Sequence, residues 1–215
     1  MEQYPRIAQI DQWLSSLTKS LRVVAPFETG DLRRLHQEKS YTRLLALMMK
    51  KMHVSLRIEV GYVNSGGAPS HAAWIALPPR MPPYGTRAFK EMKVRMYIRR
   101  SFLAEAPFES VAMLMAHELS HVVLYSIGHP LKRQEEAVDL TAMMLGLAEL
   151  NLNGCRFAIS PKEERADWRR DPLRAFINIL LPEPAMTLSV TRLGYLEPEE
   201  VRYAARRIAS LRKLQ

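Results

Sequence analysis

The 215-residue chain has one cysteine, Cys155, few aromatic residues and no long apolar run. A lone cysteine excludes a disulfide framework and any multi-cysteine zinc or iron–sulfur site, and it suits a reducing compartment. No stretch approaches the roughly 18 uninterrupted apolar residues that would span a bilayer. The opening Met1-Glu2-Gln3-Tyr4-Pro5-Arg6 lacks the charged-then-apolar layout of a secretory leader, so a cytoplasmic location is the expectation. Trp13, Trp74 and Trp168 are scattered and form no stacking platform for bases. Acidic residues are scarce in one half only: residues 1–100 carry 17 Lys and Arg against 7 Asp and Glu, the remainder 14 against 15. Such an imbalance attracts polyanions or acidic partners without specifying a site, and Lys50-Lys51 and Arg99-Arg100 are pairs, too short for a basic arm.

What is present is ordinary globular material, 47% apolar and 25% charged, which excludes disorder over most of the chain and provides for a sizeable core. Ile7, Ile10, Trp13, Leu14 and Leu17 recur at helical spacing over 6–21. Asp31 reads as the N-cap of a second helix running to about Met52. The period then drops to two: Val54, Leu56, Ile58 and Val60 mark a half-buried strand, 72–77 a second, and Val94, Met96 and Ile98 a third. A loop at 64–69 and an irregular, proline-rich loop over 78–90 separate them. A helix is expected from Pro107, suited to the first helical position, to Ile127, with Gly128 as its stop. Another is expected over 131–150, closing near Gly154, then short helices divided by Pro161, Pro172, Pro182 and Pro184, and a last one over 198–213. The order gives an α+β protein with a small sheet of about three or four strands and a helix-rich C-terminal part. As a single domain it divides into helical 1–53, sheet 54–100, a helical pair 101–154 and helical 155–215.

The chemistry concentrates in His117-Glu118-Leu119-Ser120-His121, within the otherwise apolar run from Val111 to Ile127. Histidines four apart lie on one helix face, so both imidazoles reach one ion, and the adjacent Glu118 can accept a proton from water beside it. With six His and 17 Glu in the chain, chance yields this pattern in only about 1% of sequences of this composition. Burying such a cluster in an apolar helix is costly unless something pairs with it. Zinc suits two imidazoles and a carboxylate with one position left for water. The third ligand is Glu135 or His129. Glu135 shares a helix face with Asp139, which could accept a hydrogen bond from the far nitrogen of a liganding histidine. His129 stands eight residues after His121, beside Pro130, and the helix would have to end early to return it. His36 and His53 read as surface or packing residues, Cys155 as inert, and the twelve methionines as core filling.

The string His117-Glu118-x-x-His121 followed by Glu135-x-x-x-Asp139 resembles the gluzincin metallopeptidases, including compact members related to the Ste24-like and ImmA/IrrE-like peptidases. Residues 135–142 with Gly146, and Gly194-Tyr195-Leu196 further on, resemble a group of small bacterial zincin-like proteins. The resemblance covers about residues 94–150 and that short later stretch. It implies a zincin-like fold, one Zn²⁺ held by His117, His121 and Glu135, Glu118 as general base, and Asp139 behind His117. It also implies a sheet edge at 72–77, with Ala72, Ala73 and Trp74, against which an extended peptide substrate would lie. For the group that steadies the oxyanion, His71, His129, Tyr125 and Tyr195 all stand open. The function implied is zinc-dependent hydrolysis of a peptide or protein. The alternative is a non-hydrolytic zincin-like regulator whose basic N-terminal half binds nucleic acid or a partner protein.

Overall fold

The computed structural model describes residues 6–64, 72–154, 156–159, 189–192 and 194–214. The loop over 64–69 beyond residue 64, His71, Cys155, Trp168 and the short helices expected between Pro161 and Pro184 lie outside them.

Helix α1 spans Ile7–Leu17, shorter than expected, and buries Ile10, Trp13, Leu14 and Leu17 of the expected stripe while Ile7, in its first turn, is exposed. The single helix expected from Asp31 to Met52 is instead two, α2 at Gly30–Gln37 and α3 at Tyr41–Lys51, and Thr29 rather than Asp31 holds the cap position. The reason is local. Lys39 adopts φ 54°, its N–H bonds the His36 carbonyl at 2.9 Å, and the Ser40 N–H bonds the Leu35 carbonyl at 2.8 Å. These paired bonds close a helix end with a left-handed residue. The same closure ends α3, where His53 takes φ 57° and the Val54 N–H reaches the Met49 carbonyl.

Strands β1 (Arg57–Val63), β2 (Ala73–Ala76) and β3 (Lys93–Arg99) form one mixed sheet in the order β1-β3-β2. β1 runs parallel to β3 and β2 antiparallel to it, with Trp74 opposite Tyr97 and Ile75 opposite Met96. Val94, Met96 and Ile98 alternate into the core, as their period of two requires. The proline-rich loop contains a short helix, α4 (Arg87–Glu91), which the Thr86 hydroxyl caps by accepting the Phe89 N–H. Helix α5 (Arg100–Glu105), absent from the sequence reading, follows β3 directly.

Helix α6, Phe108–Ser126, runs through the middle of the molecule. Pro107 sits at its cap, one residue earlier than expected. Apolar on nearly every side, α6 packs Val111, Met115, Leu119 and Val122 into the cluster formed with the sheet and α2–α3. Its Leu124 joins a second cluster with α1. A helix buried all round is the most rigid place to mount polar groups. Gly128 at φ 63° closes it, with the His129 N–H on the Leu124 carbonyl at 2.9 Å.

The helix expected over 131–150 begins later and is broken. Residues 129–134 are turns, because the His129 ring accepts the Leu131 N–H at 3.1 Å and the Gln134 N–H bonds the Leu131 carbonyl. Helix α7 is Glu135–Ala142, a wide turn over Met143–Leu147 carries Gly146 at φ 95°, and α8 is Ala148–Gly154. The Val24 N–H bonds the Met144 carbonyl at that turn. Beyond it the chain is not all helix: β4 (Arg156–Ile159) and β5 (Ser189–Arg192) pair as an antiparallel ribbon, consistent with strand-favouring Val190 and Thr191. Helix α9, Pro198–Arg212, starts with a capping box between Glu197 and Glu200. A mixed three-stranded sheet, a helix carrying the histidines and a helix-rich C-terminal region are consistent with a zincin-like α+β fold. Among the described residues no helix is long and apolar enough to cross a membrane.

Candidate metal centre

His117 and His121 project from consecutive turns of α6, their ring centroids 4.9 Å apart. Helix α7 packs across α6 and presents Glu135 from its first turn. One Glu135 oxygen, Oε2, lies 3.2 Å from His117 Nε2 and 3.3 Å from His121 Nε2. The three donor atoms thus fall within 4.8 Å of one another, a spacing that a single ion can bridge. The cluster matches the zincin-type motif of His-Glu-x-x-His with a distal Glu.

Behind it, His117 Nδ1 lies 2.7 Å from Asp139 Oδ1. An ionised carboxylate only accepts, so Nδ1 carries a hydrogen and Nε2 is the nitrogen turned toward Glu135, where a proton or a metal ion can sit. Asp139 is itself fixed: its other oxygen accepts the Tyr195 N–H at 2.6 Å. That contact depends on Gly194. It sits at φ 85°, and a Cβ there would stand 3.0 Å from Asp139 Oδ2 and 3.1 Å from Met113 Cε. Gly194→Ala is therefore expected to cost about 1–2 kcal/mol of backbone strain and to loosen Asp139. Its melting midpoint should fall by roughly 3–6 °C, with weaker uptake of a divalent metal by titration. An unchanged midpoint and affinity would show that the turn carries no constraint on the site.

The electrostatics fit this geometry. Burial opposes a charge on His117, but hydrogen bonds to Asp139 and Glu135 push its pKa up to about 10. The two imidazoles hold Glu135 well below the usual carboxylate range. A proton at Nε2 and a metal ion compete for one lone pair, so binding of a metal here would release a proton. Glu118 shifts in the opposite sense to Glu135. Burial pushes its pKa up, while the imidazoles and the Ile75 N–H, which it accepts, pull the other way.

These groups sit in a cleft of about 790 Å³. Ala72, Ala73, Trp74 and Ile75 line one wall, and Met113, Leu114, Tyr125 and Tyr195 contribute much of the rest. Strand β2, at one edge of its sheet, therefore borders the histidines. Of the open candidates for steadying an oxyanion, Tyr125 and Tyr195 line this cleft, and the Tyr195 ring stacks on His117 at 5.6 Å. His129 does not. It is buried, with Nε2 3.4 Å from the Ser16 carbonyl and Nδ1 occupied by Leu131. His36 packs edge-on against Tyr41 and Phe108.

Sequence reasoning missed two supports. Arg6 bonds the Glu200 carboxylate, through its N–H and its side chain, and the Glu136 carboxylate, and donates to the Tyr195 carbonyl at 3.2 Å. It thereby ties α7 and α9 to the turn that holds Asp139. The Ile75 N–H on Glu118 was equally hidden, since a backbone donor leaves no residue-type signal. Comparison of the chain with protein-family models, with curated proteins and with solved structures found no match.

Proposed function

We propose that this protein is a zinc-dependent peptidase. The observation that carries the proposal is the convergence of His117 Nε2, His121 Nε2 and a Glu135 oxygen in a cleft beside Glu118. Two imidazoles and a carboxylate suit zinc among the common divalent ions, and the single face they present leaves a position open. His117, His121 and Glu135 would hold the ion. When bound, zinc lowers the pKa of water toward 7 and polarises a carbonyl oxygen.

The remaining steps belong to the chain. Glu118, its pKa pushed up by burial, accepts the proton of the attacking water at its carboxylate and delivers it to the leaving amine. Asp139 keeps His117 in the tautomer that turns Nε2 toward the ion. Tyr195 stacks on His117, and burial and the surrounding carboxylates push its pKa up, so its phenol stays protonated and can donate to a developing oxyanion. A peptide is favoured as substrate because β2 offers a sheet edge beside the cleft, along which an extended chain can pair. Ala72, Ala73 and Trp74 would border that chain. We read residues 1–215 as one domain built around this site.

The protein should purify with close to one zinc ion per chain, and chelation should abolish its hydrolysis of a peptide library. Protein that neither carries zinc nor takes it up ends this reading.

A further inference from the structure

The cleft holds five side chains that ionise near neutral pH or carry charge, and four of them, His117, Glu118, His121 and Glu135, belong to the proposed reaction. The fifth is Arg133. It lies on the turn before α7, two residues ahead of Glu135, exposed and lining the cleft. Its acidic neighbours are committed elsewhere: Glu135 to the two histidines, Glu136 to Arg6 and Gln134. Among the described residues Arg133 has no ion-pair partner of its own. The other nearby cation, Lys132, stands over the Tyr125 ring at 5.3 Å.

A guanidinium in this position is a permanent cation with five donors, lining a cleft that also carries apolar surface from Ala72, Trp74 and Leu77. We propose that Arg133 is a specificity residue that binds a carboxylate on the substrate, so that this protein prefers acidic peptides. The inference rests on the peptidase reading and adds the substrate class to it. The carboxylate has two sources, an Asp or Glu side chain beside the scissile bond or the C-terminus of a short peptide. Either would pair with the guanidinium through charge-assisted hydrogen bonds, which are stronger than neutral ones. Because Arg133 is exposed, the preference should weaken as salt screens the pair.

The test uses the full chain loaded with zinc and three matched peptides: Glu-containing and amidated, Gln-containing and amidated, and Gln-containing with a free C-terminus. We expect kcat/KM to be about tenfold higher for one or both carboxylate-bearing peptides than for the amidated Gln peptide. The peptide that gains identifies the source. Arg133→Gln should remove that advantage and leave hydrolysis of the neutral peptide within about twofold, and Arg133→Glu should reverse the preference toward a Lys-containing peptide. Equal rates for all three peptides, or a preference that survives Arg133→Gln, would overturn the proposal. Equilibrium binding of the same peptides to Glu118→Gln separates this from the parent reading. Carboxylate-dependent binding lost on adding Arg133→Gln supports the role of Arg133 even where no hydrolysis is seen. Indifferent binding refutes it even where hydrolysis is robust.

Discussion

Glu118→Gln is expected to keep its zinc and lose peptide hydrolysis by about 10²- to 10⁴-fold. The amide has nearly the shape of the carboxylate, and its oxygen can still accept the Ile75 N–H, so the cleft should be unaltered. What it lacks is a site for the proton taken from water. Zinc content by metal analysis and kcat on a peptide substrate, measured on one preparation, separate the two effects. If hydrolysis stays at the parental rate with zinc in place, Glu118 is not the base. Were the parent inert towards every peptide while holding zinc, the reading as a non-hydrolytic zincin-like regulator would take precedence.

The second large effect concerns the third ligand. Glu135→Ala removes the one carboxylate oxygen among the described residues within reach of both histidine Nε2 atoms, and zinc affinity should fall by more than 100-fold, since even outer partners of metal ligands are worth 10- to 100-fold. His129→Ala should leave zinc affinity nearly unchanged. It deletes a buried ring that accepts the Leu131 N–H, so its cost should appear as a lower melting midpoint from an orphaned donor. Competitive chelator titration of both variants, side by side, reads the difference. Zinc lost from the His129 variant but kept by the Glu135 variant would reverse the assignment.

How much of this was legible beforehand follows from the range of the forces involved. The His117–His121 pair is a one-turn relation fixed by helix geometry, and Glu135 with Asp139 is another, so both could be read from spacing. The alternation of Val94, Met96 and Ile98 exposed β3 in the same way. The breaks at Lys39 and within Met143–Leu147 were not legible. Lysine carries no mark of a left-handed conformation, and the residues around Gly146 are apolar throughout, so no change of period announces the second break. The late start of α7 was hidden for a related reason. It depends on the His129 ring taking up a backbone N–H, a contact that only the folded turn creates. Tyr195 and Arg6 act over separations of 56 and 194 residues, to Asp139 and Glu200 respectively, and no local pattern reports a contact of that range.

Those separations bear on biosynthesis. Protein chains are made from the N-terminus, and helical pairs such as α6 and α7 can form while the remainder is still on the ribosome. His117, His121 and Glu135 are therefore all available before residue 195 has been translated. A metal ion captured at that stage would meet the three ligands without the Tyr195 N–H that holds Asp139, and without the Arg6 clamp to Glu200 closed. Early capture should be weak and reversible, and retention should rise only when the final helix docks. An ion bound at this site would therefore be held less firmly by the nascent chain than by the finished protein.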